Sequence, residues 1–234
     1  MKGEPRALSF DLDDTLWDCD EVIERAERSV HAWLSRNYPR ITDEFDLEAM
    51  RTVRIETAGR DPRLAIDLSE LRRATLAWHA RRAGYDPGLA DHGLRVFLEQ
   101  RNRVTLFADV LPVLQRLRHQ YPLVALTNGN ADLARVGLDH LFTASVSAAD
   151  VGAAKPDPAM FQAACASLGL RPGDLLHAGD DPVRDVHAAR RFGARAVWVN
   201  RNAAAWPDDL PRAHHEIESL DALSDILGAG AGRT

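Results

Sequence analysis

Cysteine is almost missing from this chain. Cys19 and Cys165 are the two thiols among 234 residues, too few and too far apart for a disulfide framework or a zinc cluster, so both read as free thiols of a reducing cytoplasm. Long apolar runs are missing as well: nothing approaches the roughly 18 residues that a membrane span needs. The stretch 1–10 is too short and too charged for a secretory signal, so export is not expected. There is no basic block either. A formal charge of −6 without a local positive cluster offers no attraction to nucleic acid or to an anionic membrane. What is present is a chain 45% hydrophobic and 27% charged, long enough for one sizeable core or for a core with a smaller lobe. That balance suits a cytoplasmic enzyme better than a binder of polyanions.

Helix periodicity dominates residues 21–100. Val22, Ala26, Val30 and Trp33/Leu34 mark one amphipathic face, Leu64, Leu68, Leu71, Thr75 and Trp78 a second, and Leu94, Phe97 and Leu98 a third. A further helix fits residues 47–57, with breaks at Tyr38-Pro39, at 59–62 and at 84–88. About four helices without a strand candidate cannot belong to a sheet. From residue 109 the pattern becomes helix-then-strand: Val110, Val113, Leu114 and Leu117 predict a helix, and strands are predicted over 122–126, 144–147, 175–178 and 194–199. Helices are predicted over 131–138, from Asp157-Pro158 to 168, and over 183–192, the last two stopped by Gly169 and Gly193. Ser219 is expected to cap a last helix through 227. With the apolar run 7–10 as first strand, the alternation implies an α/β fold whose parallel sheet is covered by helices on both faces. The predicted core comprises 1–17 and 105–228, the inserted all-helical lobe 18–104, hinged near 17–20 and 101–108, and a flexible tail 229–234.

Four short polar segments fall at strand ends or in the loops after them: Asp11-Leu12-Asp13-Asp14-Thr15, Thr127-Asn128-Gly129, Lys155-Pro156, and Gly179-Asp180-Asp181 with Asp185 close behind. In such a sheet they converge on one edge, where open α/β folds hold ligands. Two carboxylates two residues apart after a buried strand let one attack while the other moves protons. Each segment has a plainer reading too: a capped turn, a tight loop, a surface loop, a cap for the helix at 183. Asp14 and Thr15 read as capping and turn-fixing residues. Trp33 and Trp78 read as lobe core, whereas Trp17 could pack or line an entrance. His214-His215 hints at a metal pair, but adjacent residues point in different directions. No other histidine has a clear spacing partner.

Taken jointly, Asp11-x-Asp13-x-Thr15-Leu16, Thr127-Asn128-Gly129, Lys155-Pro156 and Gly179-Asp180-Asp181-x-x-x-Asp185 resemble the four motifs of the haloacid dehalogenase superfamily, in order, across residues 8–199. More narrowly, the wording at 10–18, 122–131 and 176–181 is similar to bacterial phosphatases of the riboflavin pathway. The resemblance implies a Rossmann-like core with an inserted helical cap, and a magnesium-dependent phosphomonoester hydrolase. It implies Asp11 as the nucleophile that forms an aspartyl-phosphate and, through its other oxygen, as a metal ligand. Asp13 would protonate the leaving alkoxide, then activate water, while its backbone carbonyl completes the metal shell. Asp180 is expected as the third protein ligand, with Asp181 and Asp185 orienting the shell. Thr127 and the amides of Asn128 and Gly129 are expected to form an anion-binding turn at a helix start, with Lys155 as a point charge on the phosphoryl oxygens. Mg2+ suits such hard oxygen ligands.

The expected partner is a small-molecule phosphate ester, flavin mononucleotide or the phosphorylated ribitylaminopyrimidine precursor of riboflavin, with neither nucleic acid nor membrane involved. Monomer and homodimer stay open. Arg54, Arg60, Arg63 and Trp78 are lobe candidates for meeting the organic part. The alternatives are a broad sugar-phosphate or phosphoglycolate-type phosphatase, a phosphomutase with the same catalytic set, or a dehalogenase, which needs no second acid. A phosphonate hydrolase would want a lysine within 21–100, where there is none. A non-enzymatic binding scaffold would be expected to have lost Asp11 or Asp13.

Overall fold

The computed structural model describes residues 4–228, so the tail expected at 229–234 lies outside the described residues. Strands β1 (Ala7–Phe10), β2 (Leu123–Thr127), β3 (Ala144–Ser147), β4 (Leu175–Gly179), β5 (Arg195–Val199) and β6 (His215–Ile217) form one sheet in the order 3-2-1-4-5-6, and every pairing is parallel. β1, β2 and β4 are buried along their whole length, as the apolar runs of a strand covered on both faces require. β1 lies between β2 and β4. It sits where the strand order reverses, so residues just past β1 and β4 flank the crevice that this topology opens. β6 was not foreseen: three residues with one buried side chain, Ile217, are too short to show a period.

By contact the described chain divides into two compact units. Residues 4–18, 105–129 and 137–228 form the first, and Cys19–Val104 with Asn130–Val136 the second. The second unit is helical: α1 (Cys19–Asn37), α2 (Pro39–Glu44), α3 (Leu47–Arg60), α4 (Pro62–Ile66), α5 (Leu68–Arg82) and α6 (Leu89–Arg101). Asp46, Asp61 and Asp67 cap three of these by accepting from amides of the first turn. Val22, Ala26, Val30, Trp33 and Leu34 turn inward on α1, and the last four meet Leu76, Ala80, Leu89 and Phe97. The face expected on α5 needs correction. Leu68 and Trp78 are exposed, and the buried stripe is Leu71, Arg72, Thr75, Leu76, His79 and Ala80. Three of those residues, Arg72, Thr75 and His79, are polar or charged, so a stripe traced through apolar residues alone slips by one position. Trp78 is therefore not lobe core; its ring packs edge-on against Phe45 and His79 at the surface.

In the first unit α7 (Val110–Leu117) precedes β2. The helix expected over 131–138 shrinks to α8 (Leu133–Val136), which groups with the helical unit. Gly137, at φ +87°, ends it. Asn130 and Asp132 tie this segment to Ser69 and Asn102. After α9 (Ala148–Val151), α10 (Pro158–Leu168) starts at the Asp157 cap and stops at left-handed Gly169, as the Asp-Pro and Gly signals predict. The helix expected over 183–192 opens instead as a π-helical turn, Pro182–His187, before α11 (Ala188–Phe192). Before α12 (Leu223–Gly228), Ser219 makes no side-chain cap; the Leu220 amide donates to Asp109 Oδ2 at 2.6 Å. Asp109 also takes a two-pronged bond from Arg201 at 3.1 and 2.9 Å, and Arg201 reaches the Thr15 carbonyl at 3.0 Å. That clip ties three loops of the sheet unit together.

His79 sets a pH dependence for the helical unit. Its ring is buried and neither nitrogen has a hydrogen-bond partner among the described residues. Burial, reinforced by the charge of Arg54, pushes its pKa down to about 4. An unfolded histidine protonates near 6.5, so between these values the unfolded chain holds more protons and stability falls as pH falls. We expect His79 to cost about 1.4 kcal/mol per pH unit across that window. Chemical denaturation of the wild type and His79→Leu from pH 7 to 4 checks this, and equal slopes would refute it.

Candidate active site

The site is built at the C-terminal edge of β1 and β4, within the sheet unit. The Asp11 amide donates to the Ala178 carbonyl at 2.9 Å, which locks the residue after β1 against the end of β4. Asp11, Asp180 and Asp185 come together there, each with a carboxylate oxygen within 4.8 Å of the others. Lys155 enters among them. Its Nζ donates to Asp11 Oδ1 at 2.5 Å and to Asp185 Oδ1 at 2.6 Å, and all three groups are buried.

Asp185 is saturated from several sides. Besides Lys155, its Oδ1 takes the His177 Nε2 at 3.1 Å, and its Oδ2 takes the Asp181 amide at 3.0 Å. The π turn makes this possible: the Asp181 carbonyl accepts from both Asp185 and Val186, so the widened turn swings the Asp185 carboxylate under the strand ends. Burial works against an ionised Asp185, but Lys155 and His177 outweigh it and hold the group far below the usual carboxylate range. Lys155 is likewise driven upward, since Asp11 and Asp185 outweigh its own burial. Asp11 goes the other way. Burial raises it well above the ordinary value, the share of Lys155 left to it does not compensate, and Asp185 and Asp180 push further up. Burial and the charge of Asp185 bring Asp180 to about 7. A bound cation would reverse the direction at both.

The remaining predicted residues sort by what their side chains touch. Asp13 lies on the loop after β1, and its Oδ1 accepts from the Trp17 indole Nε1 at 2.9 Å. Trp17 is fully buried and bridged to Asp13 and Leu106, so it lines no entrance; it fixes the Asp13 carboxylate. Asp14 turns the loop at φ +58°, its amide bonded to the Trp17 carbonyl. Thr15 does more than fix a turn: its hydroxyl reaches Asp180 Oδ1 at 3.1 Å across 165 residues. Asp181 spends its carboxylate on the amides of Val183 and Arg184 as a helix cap.

The turn expected to bind phosphate departs from the sequence reading in two ways. No helix begins at Gly129, whose amide instead folds back onto Thr127 Oγ1 at 2.8 Å. That leaves the Thr127 hydroxyl proton as the outward donor. The Asn128 side chain faces Lys155, exchanging bonds of 2.7 and 2.9 Å with its backbone. In the helical unit Arg60 and Arg63 form exposed local pairs with Glu56 and Asp61. Arg54 alone among the four lobe candidates is drawn into a largely buried ion pair.

Sequence reasoning passed over His177 and Ser9. They sit opposite each other in the β1–β4 register, and His177 Nδ1 contacts Ser9 Oγ at 2.9 Å. With Nε2 donating to ionised Asp185, Nδ1 is the acceptor and the ring is neutral, in keeping with the downward push of burial on its pKa. Two polar residues in otherwise apolar strands, each two or three positions before an aspartate of the cluster, are a readable signal. His214 accepts the Ala196 amide at 3.1 Å and joins no cluster with His215.

Gly179 is required by proximity. A Cβ there would stand 2.4 Å from Asp185 Cγ and 2.5 Å from Oδ2. Gly179→Ala is therefore expected to cost about 1–3 kcal/mol by forcing Asp185 off its partners. A thermal melt unchanged from wild type would show that Asp185 has room to move.

Known proteins are similar to this chain in sequence and fold. The haloacid dehalogenase-like hydrolase family matches residues 5–193. The 5-amino-6-(5-phospho-D-ribitylamino)uracil phosphatase YigB of Escherichia coli is 31% identical over 96% of this chain and 97% of its own. The phosphoserine phosphatase of Thermus thermophilus is 37% identical over 62% of this chain and 59% of its own. Among solved structures, a 2-haloacid dehalogenase from Pseudomonas syringae superposes with a TM-score of 0.89 at 36% identity, covering 96% of this chain and 99% of that one. A family match over most of the length, joined to a relative above 30% identity across almost the whole chain, makes this protein a member of the haloacid dehalogenase-like hydrolases.

Proposed function

We propose that this chain is a magnesium-dependent phosphomonoester hydrolase working through an aspartyl-phosphate on Asp11, with flavin mononucleotide or the phosphorylated ribitylaminopyrimidine precursor of riboflavin as substrate. The observation that carries the reading is the charge of the buried edge. Three carboxylates in their ionised form and one ammonium would leave two negative charges uncompensated, the complement of one hard dication. Asp11, Asp180 and the main-chain carbonyl of Asp13 would hold it, because Lys155, His177 and the Asp181 amide already engage both oxygens of Asp185. When bound, magnesium neutralises charge that the phosphoryl group and Asp11 would otherwise set against each other.

The chain's own residues then divide the work. Asp11 attacks phosphorus, the ester P–O bond breaks, and Asp13 gives its proton to the departing alkoxide. Water next attacks the aspartyl-phosphate while Asp13 takes the proton back, releasing phosphate and restoring Asp11. Thr127 donates its hydroxyl proton to the phosphoryl oxygens, Lys155 sets the orientation of Asp11, and Trp17 holds Asp13 in place. The similarity to YigB supports the riboflavin-type ester.

The likeness to a 2-haloacid dehalogenase favours a second reading, in which Asp11 displaces halide. That chemistry has no use for a held proton carrier. A haloacid carboxylate would also face the same uncompensated negative edge.

Phosphate release from flavin mononucleotide, the precursor ester, sugar phosphates and phosphoglycolate decides, with halide release from 2-chloropropionate alongside. We expect turnover of the riboflavin-type esters, lost on chelation and restored by Mg2+, with Asp11→Asn lowering it about a thousandfold or more. Activity that survives the substitution or the chelator would refute the mechanism, and halide release would install the second reading. Trp17→Phe keeps the bulk but removes one hydrogen bond to a carboxylate, about 1.5 kcal/mol. It is expected to lower kcat about tenfold with KM little changed; an unchanged kcat would remove Trp17 from the account.

A further inference from the structure

Three helices of the second unit send one charged residue each to a common point. Glu27 comes from α1, Arg54 from α3 and Arg72 from α5. Both guanidiniums put Nη2 on the same oxygen, Glu27 Oε1. Their side chains are 18%, 15% and 10% exposed for Arg54, Glu27 and Arg72, too buried for a surface pair held for solubility. Two guanidiniums against one carboxylate also leave the group one positive charge in excess, which a structural pair would not need.

The triad lines a cavity of about 200 Å3 within that unit, shared with Ile23, Leu71 and Phe97. Arg72 lies flat over the Phe97 ring, 3.5 Å from its centroid, so its plane is fixed. Its Nε has no partner among the described residues. Because both arginines share Oε1, Glu27 Oε2 stays available as an acceptor between two donor groups. Burial and the nearby charge of Arg54 press the Arg72 pKa down to about 9, so an occupant that brings acceptors to it would be favoured.

A row reading donor, acceptor, donor has one compact complement: carbonyl, N–H, carbonyl, the edge of a cyclic imide. We propose that Arg54, Glu27 and Arg72 form a recognition site for a cyclic imide, with the imide N–H on Glu27 Oε2, its carbonyls on the two guanidiniums and the ring faces against Ile23, Leu71 and Phe97. A volume of about 200 Å3, some six or seven times a water's share of the liquid, suits one substituted six-membered ring. Pyrimidine-2,4-diones carry this edge, and so does the isoalloxazine ring. Calling the imide the organic part of the hydrolysed ester rests on the function proposed above; the binding itself does not.

Riboflavin tests the binding alone because it has the imide and no phosphate. Titrated into the full chain and followed by flavin fluorescence, it is expected to bind at least tenfold more tightly than N3-methylriboflavin, whose imide cannot donate to Glu27. Sites built around a hydrogen bond reject analogues that lack it by more than apolar pockets reject a methyl group. Glu27→Gln is expected to erase the difference. Equal affinity of the two flavins for the unmodified chain overturns the proposal, as does a difference that persists in a folded Glu27→Gln. Imide-selective binding without hydrolysis of flavin mononucleotide would support the site and remove the hydrolase reading, whereas hydrolysis with no imide selectivity would do the reverse.

Discussion

Three carboxylates share the buried edge at the ends of β1 and β4 because Lys155 stands among them. At an effective dielectric constant near 20, each pair of like charges about 4 Å apart costs about 4 kcal/mol. Without a cation the cluster would stay protonated or the strand ends would part. Lys155 meets two of the three carboxylates directly, and the details around it follow from that placement. Asn128 clamps its backbone from both sides, so the TNG turn after β2 serves to position the ammonium. Gly179 has no Cβ because Asp185 must pass within 2.4 Å of where it would be. His177 stays neutral and donates, so it stabilises Asp185 without adding a second positive charge to the pair. The charge left on Asp11 and Asp180 is then the property the proposed chemistry uses.

Much of this was legible in the chain because the signals are local. An apolar run followed by Asp-x-Asp, an Asp-Pro helix start and glycine stops each depend on a few neighbours, and β1, β4 and α10 fall where such signals put them. What was not legible depends on partners distant in sequence. Thr15 looks like a turn residue until Asp180 is beside it. Trp17 looks equally suited to packing or to an entrance, and only the fold of the loop brings its indole onto Asp13. The π turn at 182–187 has the apolar pattern of an ordinary helix. Its extra residue answers to the position Asp185 must reach, which no periodicity records. The scarcity of lysine was a usable clue: Lys2 and Lys155 are the only two in the chain, against many arginines, so a lysine in a loop before proline stands out.

The helical unit shows the same limit from another side. Its inward stripe on α5 includes Arg72 and His79, which hydrophobic patterning counts as solvent-facing. Such residues are costly to bury without partners, and here they have fewer than they can use. The unit therefore holds polar capacity beyond its own packing needs, placed within one helical body around a cavity. A lobe that served only as a cover would be cheaper to build from apolar residues. The excess of donors over acceptors beside Glu27 is the physical basis for assigning that cavity a ligand of matching pattern.

Relatives named as dehalogenases and as phosphatases stand side by side for this chain, and similarity of the backbone cannot separate the two chemistries. Both begin with a carboxylate attacking an electrophilic centre, so the role proposed for Asp11 would serve either. They differ in what the leaving group requires. A halide departs with its charge and needs no proton, whereas an alkoxide leaving phosphorus is a strong base and does. The discriminating feature is therefore a second carboxylate close to the first in the chain, able to exchange a proton while Asp11 stays bound to Lys155. In the proposed reading Asp13 fills that place: it is half-buried and held by an indole N–H. An indole donor fixes direction without contributing positive charge, so Asp13 keeps a definite orientation. Phosphoryl transfer uses that combination twice per turnover, and halide displacement does not use it for the leaving group.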